Sequence, residues 1–177
     1  MDNIYKNWYS RGYVPHFDSP EVVQFITFRL ADSLPHEALI KLEEEVKLTG
    51  DINKLEYLQE YLDRGYGSCS LKIPEIAILV QDALLFFDNE RYKLISWVIM
   101  PNHVHLLIEI NAGYSMPKVI QSWKGFTARK ANQLLGSSGH FWQRDYFDRY
   151  IRNEEHYYNT IDYIHDNPVK AGLVEIA

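Results

Sequence analysis

The sequence predicts a single α+β domain, an antiparallel sheet with helices packed on it. Three observations point there: a β-branched and aromatic run at residues 22–30 ahead of any helical pattern, two strand-like runs at 92–100 and 103–110 separated only by Pro101 and Asn102, and helical periodicity on both sides of that pair. With 177 residues, 46% of them hydrophobic, the chain is long enough for one packed core and short for two. Residues 1–177 are therefore read as one domain, with segment 1–20 peripheral to it.

Taken in order, VVQFITFRL at 22–30 is the first strand, and the following ADSLP offers Asp32 or Ser33 as a helix cap. From about 36 to 63, Leu39, Leu42 and Val46, then Leu55, Leu58 and Leu62, recur near helical spacing around the interruption TGDIN. That pattern fits one broken helix or two. Beyond the RGYGS loop, Pro74 is placed to open a helix through IAILVQDALLFFD, ending near Asn89. The runs at 92–100 and 103–110 then read as a hairpin, because Pro101-Asn102 cannot continue a ladder. Residues 115–135 set Val119, Ile120, Trp123, Phe126 and Leu134 among basic residues, the pattern of an amphipathic helix with a positive flank. Residues 136–139 break it, and FWQRDYFDRYI shows no clear preference. Asn153 followed by Glu154 and Glu155 has the form of a helix start, giving a last helix over about 153–167 that Pro168 stops or kinks.

The formal net charge of −6 at first argues against a polyanion as partner. Its distribution reverses that inference. Between Tyr114 and Arg152 stand Lys118, Lys124, Arg129, Lys130, Arg144, Arg149 and Arg152 against Asp145 and Asp148, a local balance of 7 − 2 = +5. The acidic run Glu43 to Glu45 reads instead as a solvated helix face. Thirteen tyrosines and 14% aromatic content suit either base stacking or an aromatic core. One cysteine, Cys69, allows neither a disulfide nor a thiolate cage within one chain, which fits a reducing cytoplasm. The N-terminal residues show no secretory pattern and no apolar run reaches membrane-spanning length, so a soluble protein without membrane contact is expected.

In His103-Val104-His105 the strand's alternation sends both imidazoles to one face and Val104, Leu106 and Ile108 to the other. Such a pair is half a metal site, or two core histidines; the pair by itself does not decide. No cysteine ligand accompanies it, so a closed zinc site of a hydrolase is poorly supported. Tyr163 and Asn167 lie four residues apart and share a face if the last helix extends that far, which would bring a phenol and an amide oxygen together. Spacing alone does not single out Tyr163 among thirteen tyrosines.

The segments RGYVPHFD, FITFRLADSLP, WVIMPNHVHLLIE, SWKGFTARKAN, FWQRDYFDRYIRNEEH and YIHDNPVKAGLV together resemble the REP-associated tyrosine transposases, within the single-tyrosine HUH transposases. The resemblance runs from about residue 11 to 174. It implies a ferredoxin-like or RRM-like palm with His103 and His105 on its central sheet as metal ligands, Tyr163 as nucleophile on a C-terminal helix, and Asn167 as the amide ligand. The implied function is nicking and joining of single-stranded or hairpin DNA through a 5′-phosphotyrosine, with Mg²⁺ or Mn²⁺, in a nucleoid-associated protein acting as a monomer or homodimer. Tyr157 and Tyr158 are the alternative nucleophiles. Lys124, Arg129, Lys130, Arg144, Arg149 and Arg152 are the expected phosphate contacts, and Trp123, Phe126 or Trp142 either stack on bases or belong to the core. The competing function is a non-catalytic hairpin-binding module on the same fold.

Overall fold

The computed structural model describes residue 5 and residues 7–10, 15–49 and 54–175. Its strands are β1 (Asn7–Ser10), β2 (Pro15–Asp18), β3 (Val23–Arg29), β4 (Tyr92–Ile99), β5 (His103–Ile110) and β6 (Phe147–Tyr150). Its helices are α1 (His36–Thr49), α2 (Lys54–Asp63), α3 (Pro74–Leu85), α4 (Met116–Leu135) and α5 (Glu154–Lys170). β1 and β2 form a small antiparallel pair, and the other four strands form one antiparallel sheet in the order β4-β5-β3-β6. Because the two central strands, β3 and β5, are not consecutive, the chain must cross over twice, which is the split β-α-β arrangement of a ferredoxin-like palm. The expected α+β fold is the observed one.

Register decides what each face carries. Ile26 pairs with Leu106 and Phe28 with Val104, and these point to the side covered by α3 and α4. There they join Ile76, Val80, Leu84, Val119, Ile120 and Trp123 in one apolar cluster. Phe25 pairs with Leu107, Thr27 with His105 and Arg29 with His103, and these point the other way. That second face is covered by α5 through Ile164, with Ile161 and Tyr163 alongside. A register shift between Leu94 and Ser96 in β4 re-phases the strand, so that Trp97 and Ile99 face the first cluster while Val98 lies opposite His105 on the second face.

Local chemistry explains the elements. Met116, Val119, Ile120, Trp123, Thr127 and Ala131 are buried at helical spacing along α4, and Gly136 closes it with φ 60° in the left-handed region. Asn153 caps α5, its side chain accepting from the His156 backbone N–H at 2.8 Å. The expected hairpin closes on Pro101-Asn102, with the Met100 N–H donating to the His103 carbonyl at 2.9 Å.

The structure refines several expectations and settles others that were open. The interrupted pattern over 36–63 is two helices; residues 50–53 of the break lie outside the described residues, as do residues 11–14 of the first motif. α3 ends at Leu85, short of Asn89. FWQRDYFDRYI contributes the edge strand β6. Pro168 does not stop α5, which continues to Lys170. Its ring removes one N–H from the ladder, but the Ala171 N–H still reaches the Asn167 carbonyl at 3.0 Å, so the final turn holds. Segment 1–20, expected at the periphery, contributes two buried anchors. His16 meets Asp148 of β6 at 2.5 Å and Asp145 at 3.0 Å, and Asp18 accepts from the Met116 N–H at 3.0 Å, capping α4 from outside it. Among the described residues, no helix is long and apolar enough to cross a membrane.

Candidate metal and tyrosine site

Beside its apolar cluster, the second face of the sheet carries a buried pair of histidines. His103 and His105 are fully buried, and their Nε2 atoms stand 3.0 Å apart. The protonation of His103 follows from its neighbour. The Asn102 Nδ2 group donates to the Tyr66 carbonyl at 3.0 Å, which fixes the orientation of that amide and leaves Oδ1 facing His103 Nδ1 at 2.7 Å. An amide oxygen can only accept, so Nδ1 carries the proton and Nε2 keeps a bare lone pair. Burial pushes the His103 pKa down to about 3, which keeps the ring neutral. His105 is pushed well below its usual value by burial and by His103. Its Nδ1 lies 2.7 Å from the Thr27 hydroxyl. When Thr27 accepts there, the second Nε2 is bare as well.

In that tautomer two bare nitrogens stand 3.0 Å apart and repel unless a cation lies between them, whereas with His105 Nε2 protonated the two rings share a hydrogen bond. Ligands at right angles on an ion with metal–nitrogen bonds of about 2.1 Å would be separated by about 3.0 Å, so the pair is spaced as adjacent ligands. Tyr163 comes down on them from α5. Its hydroxyl is 3.5 Å from His105 Nε2, and its ring meets His105 and Phe25 edge-on, with centroids 5.4 and 5.8 Å away. One turn on, Asn167 is completely buried and neither amide atom has a partner in good hydrogen-bond geometry, although it lies near enough to the Tyr163 hydroxyl to act on that group's pKa. An unsatisfied buried amide costs about 1–3 kcal/mol, so its presence beside the pair supports a ligand role. The residues present thus fit a divalent cation. Among the described residues no group of three His, Cys, Asp or Glu side chains is arranged to hold a metal, so the amide oxygen matters to this set.

Sequence reasoning missed four participants. Thr27 and Asn102 orient the imidazoles and carry no signal of their own in the sequence. Arg29, in register with His103, is buried and bound to the Ser33 hydroxyl at 3.0 Å, and desolvation lowers its pKa to about 10. Asp63 ends α2 with Oδ1 4.0 Å from His103 Nε2 and without a hydrogen-bond partner. Burial raises the Tyr163 pKa, and the Asp63 charge raises it further, against a smaller lowering by Asn167.

The expected basic and aromatic contacts do not form one surface. Lys124 donates from its ammonium to the carbonyls of Gln143 at 2.6 Å and Arg144 at 2.9 Å, in the loop before β6. Arg129 and Lys130 lie on α4, the helix across the sheet from the histidines. Arg149 is exposed on β6 and pairs in register with Phe25, on the histidine side. Arg152 is exposed just ahead of α5, and both arginines are close enough to His156 to join burial in lowering its pKa. Arg144 is exposed before β6. Trp123 and Trp142 are core residues, donating to the Tyr92 hydroxyl at 3.0 Å and to the Thr127 hydroxyl at 2.8 Å, while Phe126 remains 43% exposed.

Residues 84–167 match the family model described as transposase IS200 like. Over 101 residues the chain is 30% identical to a Haemophilus influenzae protein named for the REP-associated tyrosine transposases, a match covering 50% of this chain and 56% of the relative. It is 25% identical over 100 residues to the REP-associated tyrosine transposase of Escherichia coli strain K12, covering 55% of this chain and 57% of that one. The chain thus spans little more than half the length of the curated relatives it matches. A solved REP-associated tyrosine transposase bound to a REP hairpin shares the fold, with a TM-score of 0.53 at 18% identity over 94% of this chain and 75% of that one. The chain is thus similar in sequence, over about half of its length, to REP-associated tyrosine transposases.

Proposed function

We propose that the protein nicks and rejoins single-stranded DNA at hairpin or palindromic sequences, with Tyr163 as nucleophile and His103, His105 and Asn167 as ligands of Mg²⁺ or Mn²⁺. The observation that carries this reading is the convergence of two buried imidazole nitrogens 3.0 Å apart with a phenol 3.5 Å away and an unpartnered amide one helical turn beyond. The hairpin preference rests on the names of the relatives.

When bound, the cation would neutralise the scissile phosphate and polarise it toward attack. Every other task falls to side chains. Thr27 and Asn102 hold the imidazoles with Nε2 inward. Phe25 and His105 fix the Tyr163 ring edge-on, leaving its hydroxyl the freedom to reach a phosphorus atom. The phenol oxygen bonds to phosphorus as the bond from phosphorus to the 3′ oxygen breaks. The phenol's proton is given up, and the departing oxygen takes one to become a free 3′-hydroxyl. The resulting 5′-phosphotyrosine retains the energy of the broken ester, so attack by a 3′-hydroxyl reverses the reaction and joins strands. Since burial and Asp63 both hold the phenol protonated, it stays inert until positive charge arrives beside it. Arg149 and Arg152, on the histidine side, and Arg144 are placed to hold backbone phosphates, while Arg129 and Lys130 contact strands passing over α4.

The test is incubation of the full chain with a single-stranded hairpin oligonucleotide and Mn²⁺, followed by a denaturing gel. A covalent protein–DNA band is expected from the natural chain, and none from Tyr163→Phe or His103→Ala, with hairpin binding retained in Tyr163→Phe. An adduct surviving in Tyr163→Phe transfers the role to Tyr157 or Tyr158. Metal-indifferent binding with no adduct in any variant establishes the non-catalytic hairpin-binding reading.

A further inference from the structure

Arg29 is the last residue of β3, within the segment FITFRLADSLP, and the nicking chemistry gives it no task. We propose that its guanidinium binds a backbone phosphate of the DNA strand held on the histidine side of the sheet; this rests on the single-stranded DNA reading above. Four observations support it.

The first is direction. Arg29 pairs with His103 in the ladder between β3 and β5, so the two side chains leave the sheet on the same face, the one that Tyr163 overlies. The second is a missing anion. Arg29 is buried yet forms no ion pair among the described residues, and burial alone lowers its pKa, so no carboxylate stands near enough to balance its charge. A buried cation left in that state is costly, and His16, buried elsewhere in the molecule, meets two carboxylates instead. The third is donor capacity. Among the described residues the guanidinium has one partner, the Ser33 hydroxyl, to which Nη1 donates at 3.0 Å. Five N–H donors in a planar fork match the paired oxygens of a phosphate, and most of them are uncommitted. The fourth is tethering. Ser33 is itself buried and donates onward to the Leu30 carbonyl at 2.8 Å, so the arginine is held in place and does not swing its charge out into bulk water. It nevertheless keeps 8% of its surface exposed, which leaves an approach for an oxygen of the strand. A base or a sugar hydroxyl would occupy the donors without answering the charge. A phosphodiester does both, and the strand attacked by Tyr163 brings further phosphates beside the scissile one. Arg29 thereby fixes where the strand lies over the tyrosine.

The test is binding of the full chain to two single-stranded hairpin oligonucleotides of unrelated sequence, measured by fluorescence anisotropy over a range of salt with EDTA present. Arg29→Met keeps the bulk and removes the charge. It is expected to weaken binding to both oligonucleotides alike, about tenfold, and to lower the slope of log affinity against log salt by about 0.7, the value for one phosphate contact on a single strand. The melting temperature without DNA is expected to stay level or rise. Arg29→Lys keeps the charge and loses the fork, and is expected to retain the natural slope with affinity a few-fold lower. Arg29→Gln carries the expectation of the methionine variant should that one fail to fold. Collapse of the fold in both neutral variants makes Arg29 a structural residue and overturns the proposal; a loss confined to one oligonucleotide assigns it to a base and overturns it as well. If the natural chain binds the hairpins and a folded neutral variant matches its affinity and slope, this proposal alone fails. If the natural chain binds neither hairpin, the DNA reading fails with it.

Discussion

Each side of the central sheet carries one buried polar cluster, and the two clusters are built on opposite principles. At the β6 edge, on the α4 side, both ring nitrogens of His16 are engaged by carboxylates, and the second oxygen of Asp148 accepts from the Phe17 N–H at 2.8 Å. On the α5 side, Asn167 and one oxygen of Asp63 have no partners, and two imidazole nitrogens confront each other. The first cluster is finished: it fastens the N-terminal hairpin to the sheet. The second is unfinished, at a cost of about 1–3 kcal/mol for each orphaned group. Residue type does not separate them, since each pairs histidine with carboxylate. What separates them is whether the protein alone satisfies the hydrogen-bonding demand.

That contrast is open to direct attack. The largest effect belongs to the apolar side, where Leu106→Ala should cost about 2–5 kcal/mol by urea denaturation, while Asn167→Leu on the other side should leave metal-free stability level or raise it. Equal losses from the two would erase the distinction. Next comes the His16 clamp. Burial opposes its charge, but the bonds and charges of Asp145 and Asp148 prevail and raise its pKa from 6.5 to about 9. A raised pKa stabilises fully below the unfolded value and fades as pH climbs through the folded one. Melting temperature should therefore fall between about pH 6.5 and 9, with up to about 3 kcal/mol at stake, and His16→Gln should flatten that slope. A slope unchanged in His16→Gln would show that the clamp is not responsible. The smallest effect is expected from Thr27→Val, which removes the hydroxyl that orients His105; Mn²⁺ affinity should drop about tenfold, or 1.4 kcal/mol, with the fold intact by circular dichroism. Unaltered affinity would mean that His105 needs no such guide.

The sheet and its helices were readable because their signals are local. Alternation in HVHLLIEI and helical spacing in 116–135 each specify a face before any tertiary contact exists. Pro168 misled, because the rule for proline counts the N–H it lacks and not the packing of Ile164 and Asn167 that keeps the helix wound around it. Lys124 was placed near DNA on residue type, whereas its ammonium is bonded to the carbonyls of Gln143 and Arg144; Trp123 and Trp142, read as either base-stacking or core, are core residues. His103 and His105 were visible from spacing, whereas Tyr163 and Asn167 needed the resemblance to stand out from their neighbours. Asp63, Thr27 and Arg29 could not be found that way: each joins the site across a long stretch of chain, through a helix end or a strand register that no short motif encodes.

Asn102 occupies both ends of one lever. Its amide nitrogen holds the carbonyl of Tyr66, in the loop that follows α2, and its oxygen dictates which nitrogen of His103 bears the proton. If that loop lifts away, the amide is free to rotate, and with it the instruction that keeps the imidazole's electron pair turned inward. On the metal-site reading, the readiness of the ring to grip an ion would thus depend on a segment 36 residues away in the chain.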